Sequence, residues 1–469
     1  MNLTSALAAR ICGIAFEQLE PQALLNAKVA ILDTLGCALA GAREPVVHTL
    51  LRTPGLNTVG AVPVWGRSEK LEPLCAALVN GAAAHALDFD DVNIAMGGHP
   101  TAPLIPALLA LAASRGCTGQ QLLLAYIAGF ETQTRLARSV NFHHYDKGWH
   151  PTATLGVFGA AAASAKLLGL DEARTASALA LCVSLASGVK ANFGTMTKPY
   201  HVGHAARNGL MAALLAEDGF TASLDALEHR QGFFEVFNGA GTYTPHLALE
   251  HWASPLDIVE PGIGIKLYPC CDSTHAALDA LFTLRNQHGF APQDVSSIEV
   301  LIHPLRLTHV NRPQLRNDMD AKFSVQYCLA RALFDGYIVL DSFHDSAVDD
   351  SAVLALMQLI HAAPHPTPSI AEPGNYLTQL RIKLRDGRCF SLQLQSPYGR
   401  TSDKPAPLES IMTKFQHNAG KAMDSDAVAQ LSKTVMAMDL LSDASLISMM
   451  CVGKEGASWM RSDEAAEKR

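Results

Sequence analysis

The runs Leu377-Thr378-Gln379-Leu380-Arg381-Ile382-Lys383-Leu384 and Cys389-Phe390-Ser391-Leu392-Gln393-Leu394-Gln395, separated by a turn holding Asp386-Gly387, decide the fold class. Apolar and polar residues alternate on both sides of Asp-Gly, the strongest short-range signal for a β-hairpin. Residues 298–303 alternate in the same way, and helical patterns at 274–287 and 324–334 stand between the strand signals. Together they read as an α+β segment.

Upstream of residue 262 the pattern is helical almost throughout. Apolar residues recur at helical spacing over 3–39, with Pro21 placed to open a second helix. Further helices are expected at 46–52, 74–87, from the 97–101 turn through 111, at 122–136, 153–168, 171–186 and 205–216. Residues 62–65 form a short apolar run that suits an extended segment, and 143–152 read as a polar-aromatic loop. The stretch 407–448 is helical again, and the charged end after Lys454 is expected to fray. The expected architecture is mainly α with a smaller α+β domain. An all-helical domain starts at 1–262, an α+β lid spans 263–402, and 403–469 return to the helical domain.

A chain of 469 residues with 49% hydrophobic and 17% charged residues can bury a sizeable core, and two domains is the natural expectation. Its net charge of −8, with no basic run, argues against nucleic acid as a partner. Ten cysteines without a Cys-x-x-Cys pair or framework spacing indicate a reducing compartment. The apolar stretches are broken by Pro, Gly or Lys, and the first twenty residues lack a signal-peptide pattern. A cytoplasmic protein with no membrane partner is the expectation.

Three segments share one grammar. Lys198-Pro199, His99-Pro100-Thr101 and His150-Pro151-Thr152 each place a cationic or titratable side chain before a proline that opens an Ala-rich helix. Proline suits the first helical turn and disfavours the helical region for the residue before it, so Lys198 is expected on a turn. Side chains at such helix mouths suit an anion, because the end amides point outward. One such loop is as well explained by capping, whereas three point to a shared pocket. His201 and His204 follow Lys198 closely.

Asp88, Asp90 and Asp91 offer a general base or a carboxylate that orients a histidine, with helix capping as the plain alternative. Adding His85 and His99 gives possible metal ligands, at a spacing that matches no established metal loop. The run from Lys266 through Tyr268-Pro269-Cys270-Cys271 to His275 repeats the Lys-near-Pro theme. Zinc there lacks a fourth ligand, and a thiolate nucleophile is the other minority reading. Lys322-Phe323-Ser324-Val325-Gln326-Tyr327 opens a helix and offers a tyrosine to a pocket or to the core. No Walker loop, dinucleotide fingerprint or nucleophile elbow is present. Acid–base chemistry on a small anion, with neither metal nor cofactor, is what these residue types favour.

Asp88-Phe89-Asp90-Asp91, Gly98-His99-Pro100, Gly148-Trp149-His150-Pro151-Thr152, Thr197-Lys198-Pro199, Lys266 with Tyr268-Pro269, and Lys322-Phe323-Ser324 through Tyr327 resemble the MmgE/PrpD family. The resemblance runs in order over most of the chain. It implies a large helical domain, a smaller lid, a homodimer and no cofactor. It implies a pocket of Asp88, His99, His150, Lys198, Lys266 and Tyr327 for a small polycarboxylate, with His201 and Cys271 as further binding residues. Tyr145, with Gly148-Trp149-His150, residues 192–199 and Pro269-Cys270-Cys271, looks most like the iminodisuccinate epimerase branch, where Tyr145 would be a second acid or base. The catalytic set so implied is Asp88, His99, Tyr145, His150 and Lys198. Dehydration of the 2-methylcitrate type is the alternative. Decarboxylation of cis-aconitate ranks behind it, because that branch carries a histidine where Cys271 aligns.

Overall fold

A computed structural model describes residues 2–315, 318–366 and 376–453. The expectation of fraying after Lys454 lies outside the described residues. Pro21–Gly41 is a buried helix of the first core, opened by Pro21 at a position whose N–H has no helical acceptor. It is long and apolar enough to cross a membrane, yet Ala30, Ile31, Leu32, Leu35 and Ala38 are fully buried among other helices. An all-round apolar helix is what the middle of a large core requires.

Pro73–His85, Thr101–Arg115 and Gly119–Val140 pack against that helix, and Gly156–Leu168 and Thr197–Glu217 pack against those helices in turn. Their alanines and glycines let backbones approach closely. A Cβ on Gly203 would stand 2.0 Å from the Leu78 carbonyl oxygen, and one on Gly81 would stand 2.7 Å from Gly203 Cα. This backbone contact fixes Pro73–His85 against Thr197–Glu217, and so fixes the distance between the groups at their ends. Leu408–Ala419 and Ser425–Met436 complete the same core: Phe415, Leu431 and Val435 are buried with Leu32 and Leu35.

The second core surrounds a four-stranded sheet ordered Ile360–Pro364, Val295–Ile302, Thr378–Leu384, Cys389–Leu394. The first pair is parallel and the others antiparallel, with Leu380 opposite Leu392 across the hairpin. Along Thr378–Leu384, Leu380, Ile382 and Leu384 are buried while Arg381 and Lys383 are exposed. The buried face meets His275–His288 and Val325–Asp335. The protein is thus mainly α with a smaller α+β portion, and the hairpin lies where alternation put it. Of the run 62–65 expected to be extended, Val62 and Pro63 end the strand Val59–Pro63, paired with Lys70–Leu71, while Trp65 lies in a turn.

Two local expectations need correction. Lys198 is the second residue of the helix Thr197–Glu217 and not on a turn. Its N–H is taken by the Thr195 carbonyl at 3.1 Å, and Pro199 falls in the first turn, where no donor is missed. Residues 143–152 are not a single loop: His143–Lys147 is helical, and the buried His144 is pinned between Asn238 Oδ1 and Thr154 Oγ1, both at 2.8 Å.

Gly203→Ala is expected to cost about 3 kcal/mol in urea unfolding, because the obstructing atom is a backbone oxygen that cannot yield. Gly13→Ala, at a helical glycine with nothing within 4 Å, is the control and should leave stability unchanged or slightly raised.

Candidate active site

The helix Pro73–His85 ends in the loop that carries Asp88 to Asp91. Asp88 takes φ 51°, a left-handed conformation that a short polar side chain tolerates at some cost. Backbone contacts from distant lysines hold it. Lys266 Nζ donates to the Asp88 carbonyl oxygen, and Lys414 Nζ donates to the Phe89 carbonyl at 2.7 Å. Lys414 also pairs with the buried Asp33 at 2.6 Å and sits 3.9 Å from the Phe89 ring centre. Asp91 turns away from the cleft to Thr101 Oγ1 at 2.6 Å, and burial raises its carboxyl to about 8, so it stays a neutral structural acid.

Three cations reach one oxygen of Asp88. Lys198 Nζ is 2.9 Å from Oδ1, His99 Nε2 3.3 Å and Lys266 Nζ 3.8 Å. Among the described residues no neighbour meets directional hydrogen-bond geometry at that oxygen, so these contacts are charge pairs. The Asp88 side chain keeps 41% of its surface exposed, whereas those of Lys198, His99 and Lys266 keep 15%, 11% and 7%. Behind them Asp90, fully buried, takes His85 Nδ1 at 2.8 Å and His99 Nδ1 at 3.2 Å.

The electrostatics separate the three histidines. Burial opposes charge on His99, but Asp90 and Asp88 outweigh it and raise its imidazole to about 9. Burial lowers His85 to about 4 despite Asp90, with Lys198 adding to the effect. Burial, with His85 and Lys198, holds His150 well below the ordinary imidazole value. Asp88 is held well below the carboxylate range, against burial, by Lys198 and Lys266. The cluster therefore presents an imidazolium, two ammonium groups and two ionised carboxylates, with neutral imidazoles at His85 and His150. His150 lies 6.0 Å from His85 between ring centres, and its Nδ1 meets His201 Nδ1 at 3.2 Å. That contact leaves Nε2 of His150 for exchange with a ligand.

Asp88, His99, His150, Lys198 and Lys266 are thus brought together from five segments, with His201 one step behind His150. Tyr145 lies at the edge, its ring 3.3 Å beneath Lys190 Nζ. Burial raises its phenol, and the fields of Asp272, Arg306 and Asp88 all reach it. Cys271 borders the same side, where burial and Asp272 push its thiol up to about 12. Tyr327 does not join them. It is the third residue of Val325–Asp335, capped by Ser324, and its ring is fully buried in the second core, where the hydroxyl donates to the Ser342 carbonyl at 2.6 Å. The motif that contains it is structural at that position, and the pocket assignment is corrected. Sequence reasoning missed Arg306, Arg400 and Tyr376, which surround Asp272. None belongs to a local motif, and only Tyr398-Gly399 before Arg400 marks a turn.

His85, Asp88, Asp90 and His99 bring one donor atom each within 4.8 Å, a spacing a metal ion could use. Their donors are already committed to one another, His99 carries a proton, and two ammonium groups lie on Asp88. That charge distribution favours an anion over a cation.

The N-terminal domain of the MmgE/PrpD family matches residues 5–246, and its C-terminal domain matches residues 268–440. A cis-aconitate decarboxylase from Homo sapiens is 32% identical over 466 residues, covering 96% of this chain and 95% of its own. One from Aspergillus terreus is 30% identical, covering 95% of each. A 2-methylcitrate dehydratase from Salmonella typhimurium is 24% identical, covering 84% of this chain and 86% of its own. With both domains present in order, this chain belongs to the MmgE/PrpD family.

Proposed function

We propose that the protein is a lyase that works without a cofactor, removing a proton beside a carboxylate of a small tricarboxylate and expelling hydroxide as water. The observation that carries this reading is the meeting of Lys198, His99 and Lys266 on Asp88 Oδ1, beside a buried neutral His150. Fixed cations suit substrate carboxylates and the negative charge that develops on one of them as the proton leaves. A neutral imidazole is the base that such chemistry needs. His150 takes the α-proton, the electron pair forms the alkene, and Tyr145, held protonated by its raised pKa, gives its proton to the departing hydroxyl. Ten cysteines without framework spacing suit the cytoplasm as its compartment, and the family resemblance implies a homodimer.

The sequence alone leaned to epimerisation of an iminodisuccinate-like substrate. The relatives named above carry lyase names, which favours elimination. A second reading, decarboxylation, draws support from the higher identity to the decarboxylases, 32% against 24%. The resemblance, which implies a histidine in that branch where Cys271 aligns, weighs the other way.

NMR in heavy water on 2-methylcitrate, citrate, cis-aconitate and iminodisuccinate tests this. An alkene product from a hydroxytricarboxylate is expected, lowered by about 100-fold or more in His150→Ala. Carbon dioxide from cis-aconitate would move the assignment to the second reading. Deuterium entering iminodisuccinate with inversion would restore epimerisation, and silence on every compound would sink the substrate class. The pH profile offers a separate check. His99 is charged below about 9, so kcat/KM should fall as pH rises through about 9. His99→Gln should lose that limb while lowering activity throughout.

A further inference from the structure

Beyond the Asp88 cluster lies a second group of cations that the proposed chemistry does not use. Asp272 Oδ1 is 3.7 Å from Arg306 Nη1, and Asp272 Oδ2 is 3.6 Å from Arg400 Nη1. Both separations are too long for hydrogen bonds. Oδ2 already accepts the Tyr376 hydroxyl at 2.5 Å, and both guanidinium groups lie over the Tyr376 ring, at 4.1 and 5.1 Å. Arg400 Nε and Nη1 are buried and have no hydrogen-bond partner among the described residues. Its side chain is only 13% exposed. Leaving charged donors unsatisfied in such surroundings is costly, and a planar fork of donors is suited to a carboxylate.

The backbone ties this group to the first one. Gly399, at φ 74°, accepts from the Ile265 N–H at 2.6 Å, which sets Arg400 beside Lys266. Gly264 in turn exchanges hydrogen bonds with Val92, one residue past Asp91, at 2.6 and 2.7 Å. Val92, Lys266, Asp272, Gly399 and Arg400 line one small cleft. Lys266 feels both Asp88 and Asp272, and Tyr145 feels Asp88, Asp272 and Arg306. Lys266, on Asp88 at one side and in the cleft of Asp272 and Arg400 at the other, stands between the two cation groups.

We infer that Arg400, with Arg306 beside it, is a second carboxylate subsite that selects ligands carrying a carboxylate beyond the pair held at the Asp88 cluster. Asp272 and Tyr376 hold the guanidinium groups in place before the ligand arrives. A dicarboxylate fills only the Asp88 cluster, and a tricarboxylate fills both. This rests on the reading of the Asp88 cluster as a polycarboxylate site.

The test is calorimetric binding of two inert compounds that differ in one group. Tricarballylate carries a carboxymethyl arm where methylsuccinate carries a methyl group. Wild-type protein should bind tricarballylate about tenfold or more tightly than methylsuccinate, the range for charge-assisted hydrogen bonds. Arg400→Gln should reduce that preference to about twofold while leaving methylsuccinate affinity nearly unchanged, and Arg400→Lys should fall between. A wild-type preference below about threefold overturns the subsite whatever the variants do. Equal weakening of both ligands in Arg400→Gln also overturns it, since that marks a structural role. Should Arg400→Gln fail to fold, Arg400→Lys and the wild-type preference decide. Binding without turnover of any tricarboxylate would sink the lyase reading and leave the subsite standing. Turnover with an Arg400→Gln preference like that of wild type would do the reverse.

Discussion

A single carboxylate oxygen, approached by two ammonium groups and an imidazolium without directional hydrogen bonds, is the interaction on which the site depends. Without Asp88 the three cations would repel one another in a space where water screens poorly. With it they stand ready, and because the contacts are charge pairs a ligand carboxylate can share or replace them. Asp90 has the complementary role at a deeper layer: it keeps His99 protonated, while burial keeps His85 neutral. Two carboxylates and three imidazoles are thus sorted into distinct charge states by depth and by neighbour.

That arrangement is only as exact as the helices that deliver it. Lys198 begins Thr197–Glu217 and His85 ends Pro73–His85, and the two helices touch backbone to backbone at Gly81 and Gly203. The alanine and glycine content that first reads as mere helix-forming composition is therefore also a distance constraint. Small residues bring the axes close, and close axes bring the charged ends together.

Much of this was legible in the sequence because it is local. Alternation around Asp386-Gly387 marked the hairpin, and helical periodicity marked the first 262 residues. The His-Pro and Lys-Pro pairs pointed to convergence because proline fixes how a helix begins. Lys198 was misplaced because the rule for residues before proline yields when a helix has just started. Tyr327 was misassigned because a tyrosine in a motif looks the same whether its hydroxyl meets a ligand or the Ser342 carbonyl. Arg306 and Arg400 left no trace, since they stand far apart in the chain and only tertiary folding sets both beside Asp272.

Lys414 braces the loop of Asp88 from more than 300 residues downstream, through the Phe89 carbonyl and Asp33. During synthesis, the segments that bear His85, His99, His150 and Lys198 all emerge well before that brace exists. A nascent chain can thus bury much of its first core while the loop between Asp88 and Asp91 still lacks its support. The order of translation makes the pocket one of the later regions of the helical core to be finished.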